Sequence, residues 1–121
     1  MAKILVVDDS NMLRDMLKFA LQDGGYTDVT EAADGEEGLR KAQESQYDLV
    51  ITDINMPKMN GFELVKALRQ KESYAKSPLI VLTTEQSDVM KAKGREAGAT
   101  GWIIKPFVPE QLLQVVGTVL K

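Results

Sequence analysis

A chain of 121 residues with a net charge of −3, 44% apolar and 27% charged residues, has the composition of one globular domain. It contains no cysteine and no histidine. That excludes disulfides, thiolate metal centres, thiol nucleophiles and the commonest general base, and any metal must be held by oxygen. The acidic balance argues against a sequence-independent grip on nucleic acid, and no apolar run approaches membrane-spanning length.

Strands and helices alternate along the chain. Met1-Ala2-Lys3 leads directly into an apolar strand, Ile4-Leu5-Val6-Val7, which leaves no room for a signal peptide. Met12, Leu13, Met16, Leu17, Ala20 and Leu21 mark one face of the helix that follows, with Met12 and Met16 as core fillers, and Gly24-Gly25 ends it. A weaker strand is expected around Asp28–Ala32. Asp34 and Glu37 then have the spacing of a capping box, and Glu36/Arg40 and Glu37/Lys41 pair along a solvated face of the second helix. A third strand at Asp48–Asp53 enters a loop containing Pro57 and closing at Gly61, before a helix that turns Leu64, Val65 and Leu68 inward. Pro78 opens the next strand, Leu79–Leu82. The fourth helix is the weakest, offering only Val89, Met90 and Ala97 and carrying Gly94 in its interior. After Trp102-Ile103-Ile104, Pro109 starts a last helix lined by Leu112, Val116, Val119 and Leu120.

This pattern predicts an α/β fold: one domain over residues 1–121, (βα)5, with a doubly wound five-stranded parallel sheet. Right-handed crossovers leave few strand orders, of which 2-1-3-4-5, the order of flavodoxin, is the expected one. Continuous apolar runs read as parallel strands buried on both faces. All of them finish at one edge of the sheet, which gathers their terminal residues: Asp8 and Asp9, Asp53, Thr83 and Lys105.

Three clustered carboxylates repel one another unless a cation intervenes. A hard divalent ion fits oxygen ligands, and Mg²⁺ suits one or two carboxylates, waters and a phosphate oxygen. With no Cys or His, a carboxylate attacking phosphorus to form an acyl phosphate is the most economical chemistry. Asp53, alone at its strand end, is the better nucleophile, and the Asp8-Asp9 pair the better metal holder. Lys105 and the Thr83 hydroxyl can meet an incoming anion. Each of these residues alone has an ordinary explanation: Asp9 or Ser10 as a helix cap, Thr83 as a strand former, Lys105 as a solvated side chain. Their convergence on one edge favours the functional reading.

The Asp8-Asp9 pair, Asp53 with Ile54-Asn55-Met56-Pro57 and Gly61, Thr83-Thr84-Glu85 and Lys105-Pro106-Phe107 together resemble the receiver domains of two-component response regulators. The resemblance spans the whole chain and suggests a stand-alone regulator of the chemotaxis type. It implies that Asp53 accepts a phosphoryl group from the phosphohistidine of a histidine kinase. It further implies that Asp9, Asp53 and the Asn55 carbonyl bind Mg²⁺, with Asp8 acting through the shell around it. Lys105 would contact the phosphoryl group, Thr83 would move to hydrogen-bond it, and Trp102, where Tyr or Phe is usual, would occupy the aromatic switch position. Asn55 and Glu85 fall where side chains tune the lifetime of the acyl phosphate, and the Lys105–Pro106 bond would be cis. A flagellar motor switch protein or a phosphatase would be an output partner, and the protein would be a cytoplasmic monomer that binds neither nucleic acid nor membrane.

Two other classes compete. A phosphohydrolase using a strand-end Asp would need a second acid two residues on, where Asn55 stands, so no turnover enzyme is expected. A flavodoxin-like electron carrier would cradle a phosphate at its first turn, where Asp8-Asp9 would repel one.

Overall fold

The parallel strands form one sheet in the order β2-β1-β3-β4-β5. A computed structural model describes residues 2–84 and 87–120. It contains β1 (Lys3–Val7), α1 (Asn11–Asp23), β2 (Asp28–Ala32), α2 (Gly35–Glu44), β3 (Leu49–Asp53), α3 (Gly61–Arg69), β4 (Leu79–Thr83), α4 (Asp88–Ala97), β5 (Gly101–Ile104) and α5 (Pro109–Val119). One short 3₁₀ turn, Glu72–Tyr74, was not anticipated from the sequence.

Alternate residues of each strand feed two cores. Ile4, Val6, Leu49, Ile51, Ile80 and Leu82 pack with Leu17 and Leu21 of α1 and Leu112 and Val116 of α5. Leu5, Val7, Val50, Leu79 and Val81 pack on the opposite face with Ala42 of α2 and Leu64, Val65 and Leu68 of α3. Sheet residues buried on both faces leave no polar alternation, which explains why the strands read as unbroken apolar runs.

Helix ends follow their local chemistry. Ser10 caps α1, its hydroxyl accepting from the Leu13 N–H at 3.2 Å. Asp34 caps α2 through the Glu37 N–H at 2.8 Å, but the Glu37 carboxylate reaches the Ala33 N–H instead of closing the box on Asp34. The complete capping box belongs to α3, between Asn60 and Glu63. Arg40 pairs with Glu37 and Glu44 rather than with Glu36, while Lys41 pairs with Glu37 as expected.

Three apolar side chains expected inside lie outside. Met12 is 73% exposed, Met16 is 48% exposed and Val89 is 65% exposed. Met12, Met16 and Phe19 recur at i, i+4 and i+7, so they form a stripe of their own beside the Leu13, Leu17, Ala20, Leu21 stripe that meets the sheet. Helical periodicity alone does not say which stripe is buried. On α4 the buried residue is Gly94, with Met90 and Ala97 partly buried beside it.

Candidate functional site

The β1/β3 register sets the site. Val7 stands opposite Thr52, so the next residues, Asp8 and Asp53, finish neighbouring strands at one level. These strands meet where the chain's crossovers change direction, the position at which open α/β sheets bind ligands. One carboxylate oxygen from each of Asp8, Asp9 and Asp53 lies within 4.8 Å of the others. Asp8 and Asp53 are buried and Asp9 is exposed. Lys105, arriving from the end of β5, places its Nζ 2.9 Å from Asp53 Oδ1 and 3.8 Å from Asp8 Oδ2. The Ile54 N–H also donates to Asp53 Oδ1, at 2.8 Å.

Asp8 is the most deeply buried of the three acids. Burial pushes its carboxyl up from the ordinary 3.8 to about 6. The Ser10 N–H and Lys105 oppose that rise, and the neighbouring Asp53 and Asp9 add to it. Its Oδ2 is buried without a hydrogen-bond partner among the described residues. An orphaned carboxylate oxygen among two further carboxylates is the donor set of a hard cation, and the all-oxygen chemistry fits Mg²⁺.

The loop after β3 is shaped by contact with the site. A Cβ on Gly61 would come within 2.2 Å of the Asp53 carbonyl oxygen and 2.9 Å of Ile54 Cα, so only glycine allows α3 to start against that backbone. The Gly61 N–H then donates to the Ile54 carbonyl at 2.9 Å. Asn55 is exposed on this loop, two residues from Asp53. The Lys105–Pro106 peptide is cis.

Thr83 is buried at the end of β4, on the same sheet face as Trp102, because Trp102 pairs with Val81 two residues earlier. The indole lies partly buried under α4, and a Cβ on Gly94 would sit 3.1 Å from one of its ring carbons. Gly94 therefore makes room for a ring that the helix rests on, which accounts for a glycine in the helix interior. The indole N–H is buried without a hydrogen-bond partner among the described residues. Beyond it, Arg69 fastens the C-terminal end of α4, donating to the Gly98 carbonyl at 2.8 Å and to Thr100 Oγ1 at 3.0 Å. Gly94→Ala is expected to force the ring or the helix aside by a few tenths of an ångström. Either displacement should raise the quenching of Trp102 emission by acrylamide, and unchanged quenching would mean that the seat is loose. Glu85 lies outside the described residues.

The structure thus brings together Asp8, Asp9, Asp53 and Lys105, with Thr83 on the adjoining strand end and Asn55 on the rim. Sequence reasoning missed Arg14, whose guanidinium donates to the backbone carbonyl of Asp8. The available signal was spacing: Arg14 shares the i, i+3, i+7 stripe of Leu17 and Leu21, where a solvated cation is out of place.

The doubly wound sheet thus gathers three carboxylates and one lysine at its switch point, an acidic, oxygen-lined site with a basic partner. The chain belongs to the response regulator receiver domain family, whose pattern it matches over residues 4–117. It is 40% identical over 119 residues to the chemotaxis protein CheY1 of Helicobacter pylori, covering 98% of this chain and 96% of that protein. It is 39% identical to the alkaline phosphatase synthesis transcriptional regulatory protein PhoP of Bacillus subtilis, covering 98% of this chain but 48% of that longer protein. Among solved structures, the chemotaxis protein CheY4 of Vibrio cholerae superposes with a TM-score of 0.94 at 52% identity, covering 99% of each chain. The receiver domain of the Pseudomonas aeruginosa sensor histidine kinase PA1611, solved with magnesium coordinated in its active site cleft, superposes with a TM-score of 0.91 at 26% identity, covering 98% of this chain and 97% of that one. Among the described residues, no helix is long and apolar enough to cross a membrane.

Proposed function

We propose that this receiver domain is a phosphorylation-controlled switch whose phosphoacceptor is Asp53. The observation that carries this reading is the buried Asp53 carboxylate held at 2.9 Å by Lys105 beside two further acids. Both the lysine and the Ile54 N–H contact Oδ1, which makes Oδ2 the attacking oxygen. It attacks phosphorus of a phosphohistidine as the phosphorus–nitrogen bond breaks and the electron pair returns to the imidazole. The product is an acyl phosphate on Asp53 and a free histidine on the donor. Asp9, Asp53 and the Asn55 carbonyl would hold Mg²⁺, with Asp8 behind them; the bound ion supplies positive charge to crowded carboxylates and phosphoryl oxygens. Lys105 stays with the transferred group as its counter-charge, and the Thr83 hydroxyl is the donor on the adjoining strand. The Asn55 carboxamide is too weak an acid to protonate a leaving group, so on this reading the domain accepts a phosphoryl group and does not turn over small esters.

Output follows from the α4 side, where Thr83 and Trp102 share a sheet face and the indole supports Gly94. The likeness to chemotaxis proteins along their full length favours chemotaxis as the process and a chemotaxis-type histidine kinase as the donor. The exposed Met12, Met16 and Phe19, together with Phe107 and Pro109, line a groove of about 600 Å³ that starts one turn from Asp9. A helix bearing the phosphohistidine can rest there.

Incubation with acetyl phosphate and Mg²⁺ should place one hydroxylamine-labile phosphoryl group on Asp53. EDTA should prevent it, and the label should disappear in Asp53→Asn. A label that persists in that variant would sink the assignment. Phe19→Glu should slow transfer from the kinase at least tenfold and leave acetyl phosphate labelling unchanged. Equal slowing with both donors would remove the groove from the donor's path.

A further inference from the structure

We propose that Arg14 positions the acid pair for the metal by holding the peptide that joins Asp8 to Asp9. The inference rests on the metal reading above. Lys105 approaches the carboxylates directly, whereas Arg14 reaches the backbone that carries them. Its side chain is 12% exposed and serves three acceptors at once. Nε faces Glu31 Oε1 on the edge strand β2 at 3.2 Å, one terminal nitrogen donates to Asn11 Oδ1, and the other donates to the carbonyl oxygen of Asp8.

That carbonyl belongs to the Asp8–Asp9 peptide, so its direction sets where the Asp9 side chain leaves the backbone. The rest of the turn is fixed from other sides. The Asp8 N–H donates to the Ala32 carbonyl of β2 at 3.1 Å, and the Ser10 N–H donates to Asp8 Oδ1 at 2.9 Å. Without Arg14, the peptide between these two anchors keeps no side-chain hydrogen bond on its oxygen among the described residues. Asp9 is exposed and makes no contact that would replace it among those described. Glu31 in turn is held by Lys18 at 3.6 Å, which keeps the carboxylate aimed at Arg14. A guanidinium is suited to this place because its donors are fixed in one plane, while a lysine offers one point charge. Groups that orient metal ligands from outside typically change metal affinity by roughly 10–100-fold when removed.

Calorimetric titration with MgCl₂, at a temperature where every variant is folded, tests the assignment. Arg14→Gln should weaken Mg²⁺ binding about tenfold. Arg14→Lys should weaken it nearly as much, because it keeps the charge and loses the fork. Leu13→Ala loosens the same helix without touching the peptide and should keep wild-type affinity. Wild-type affinity in Arg14→Gln would overturn the role of Arg14. Full affinity in Arg14→Lys would also overturn it, by showing that charge alone suffices. Weakening in Leu13→Ala equal to that in Arg14→Gln would reduce the effect to general loosening. A wild-type protein that takes up no Mg²⁺ would overturn the metal reading, and this inference with it.

Discussion

Asp8→Asn should make the metal-free protein more stable, by about 3 kcal/mol at pH 7 and by almost nothing at pH 4. The sign follows from where the proton sits. In the unfolded chain Asp8 titrates at its ordinary 3.8, and in the fold burial holds it near 6. Between those values the folded protein keeps a proton that the unfolded chain has lost, so stability falls as pH rises from about 4 to 6. Above 6 both states are ionised and the deficit is complete. Asparagine preserves the shape and the oxygen that accepts from the Ser10 N–H while removing the charge. The difference between the variant and the wild type, followed by urea unfolding from pH 4 to 8 in EDTA, isolates Asp8 from other acids. Glu37, for instance, is held below its ordinary value, first by the Ala33 N–H, and contributes stability that is lost as pH falls. Millimolar Mg²⁺ should shrink the variant's advantage, because the wild type binds the ion more tightly and gains more by mass action. A constant difference across the pH range would show that Asp8 titrates in the fold as it does in the unfolded chain.

The same burial explains what the sequence could reveal. Strands covered on both faces must be continuously apolar, so Val6-Val7 and Ile51-Thr52 announced where Asp8 and Asp53 would stand, and parallel topology brought those ends together. The helices were less informative. The α1 pattern contains two adjacent apolar stripes, and only the docking of the helix decides that Leu17 is covered and Met16 is not. Nor does the sequence distinguish Asp8 from Asp9. They are neighbours in the chain, yet the last hydrogen bond of the β1 ladder, from the Asp8 N–H to Ala32, draws one inside and leaves the other in solvent. Arg14 was hidden for a related reason. Its partners are the Asp8 carbonyl and a glutamate on an edge strand 17 residues away, so its place on the Leu17, Leu21 stripe marks a cation that is not solvated without saying which backbone group it meets.

Lys105→Ala should act in the opposite direction to Asp8→Asn on both stability and metal affinity. Lys105 is the cation within reach of both buried carboxylates, at 2.9 Å from Asp53 and 3.8 Å from Asp8. Removing one partner from a buried ion pair leaves the other charge uncompensated, at a typical cost of about 3–5 kcal/mol. Lys105 retains some contact with solvent, 19% of its side chain, so a loss nearer 2–3 kcal/mol is expected in the metal-free protein at pH 7. Asp8 should also titrate higher, because the lysine now opposes its rise. Mg²⁺ meets the reverse situation. The ammonium competes with it for Asp53, and without that competitor three carboxylates face the ion alone, so binding should tighten several-fold. Unfolding in urea with and without Mg²⁺ separates the two effects. The variant should be weaker than the wild type in EDTA and should recover part of the loss at saturating Mg²⁺, about 1 kcal/mol for a roughly fivefold gain in affinity, because tighter binding adds stability in proportion to the logarithm of the affinity. The acids and the lysine are then one electrostatic unit, in which the metal and the ammonium divide the work of neutralisation. Mg²⁺ binding that is unchanged or weaker in Lys105→Ala would show that the metal sits outside the lysine's field, and would separate the cation-holding acids from Asp53.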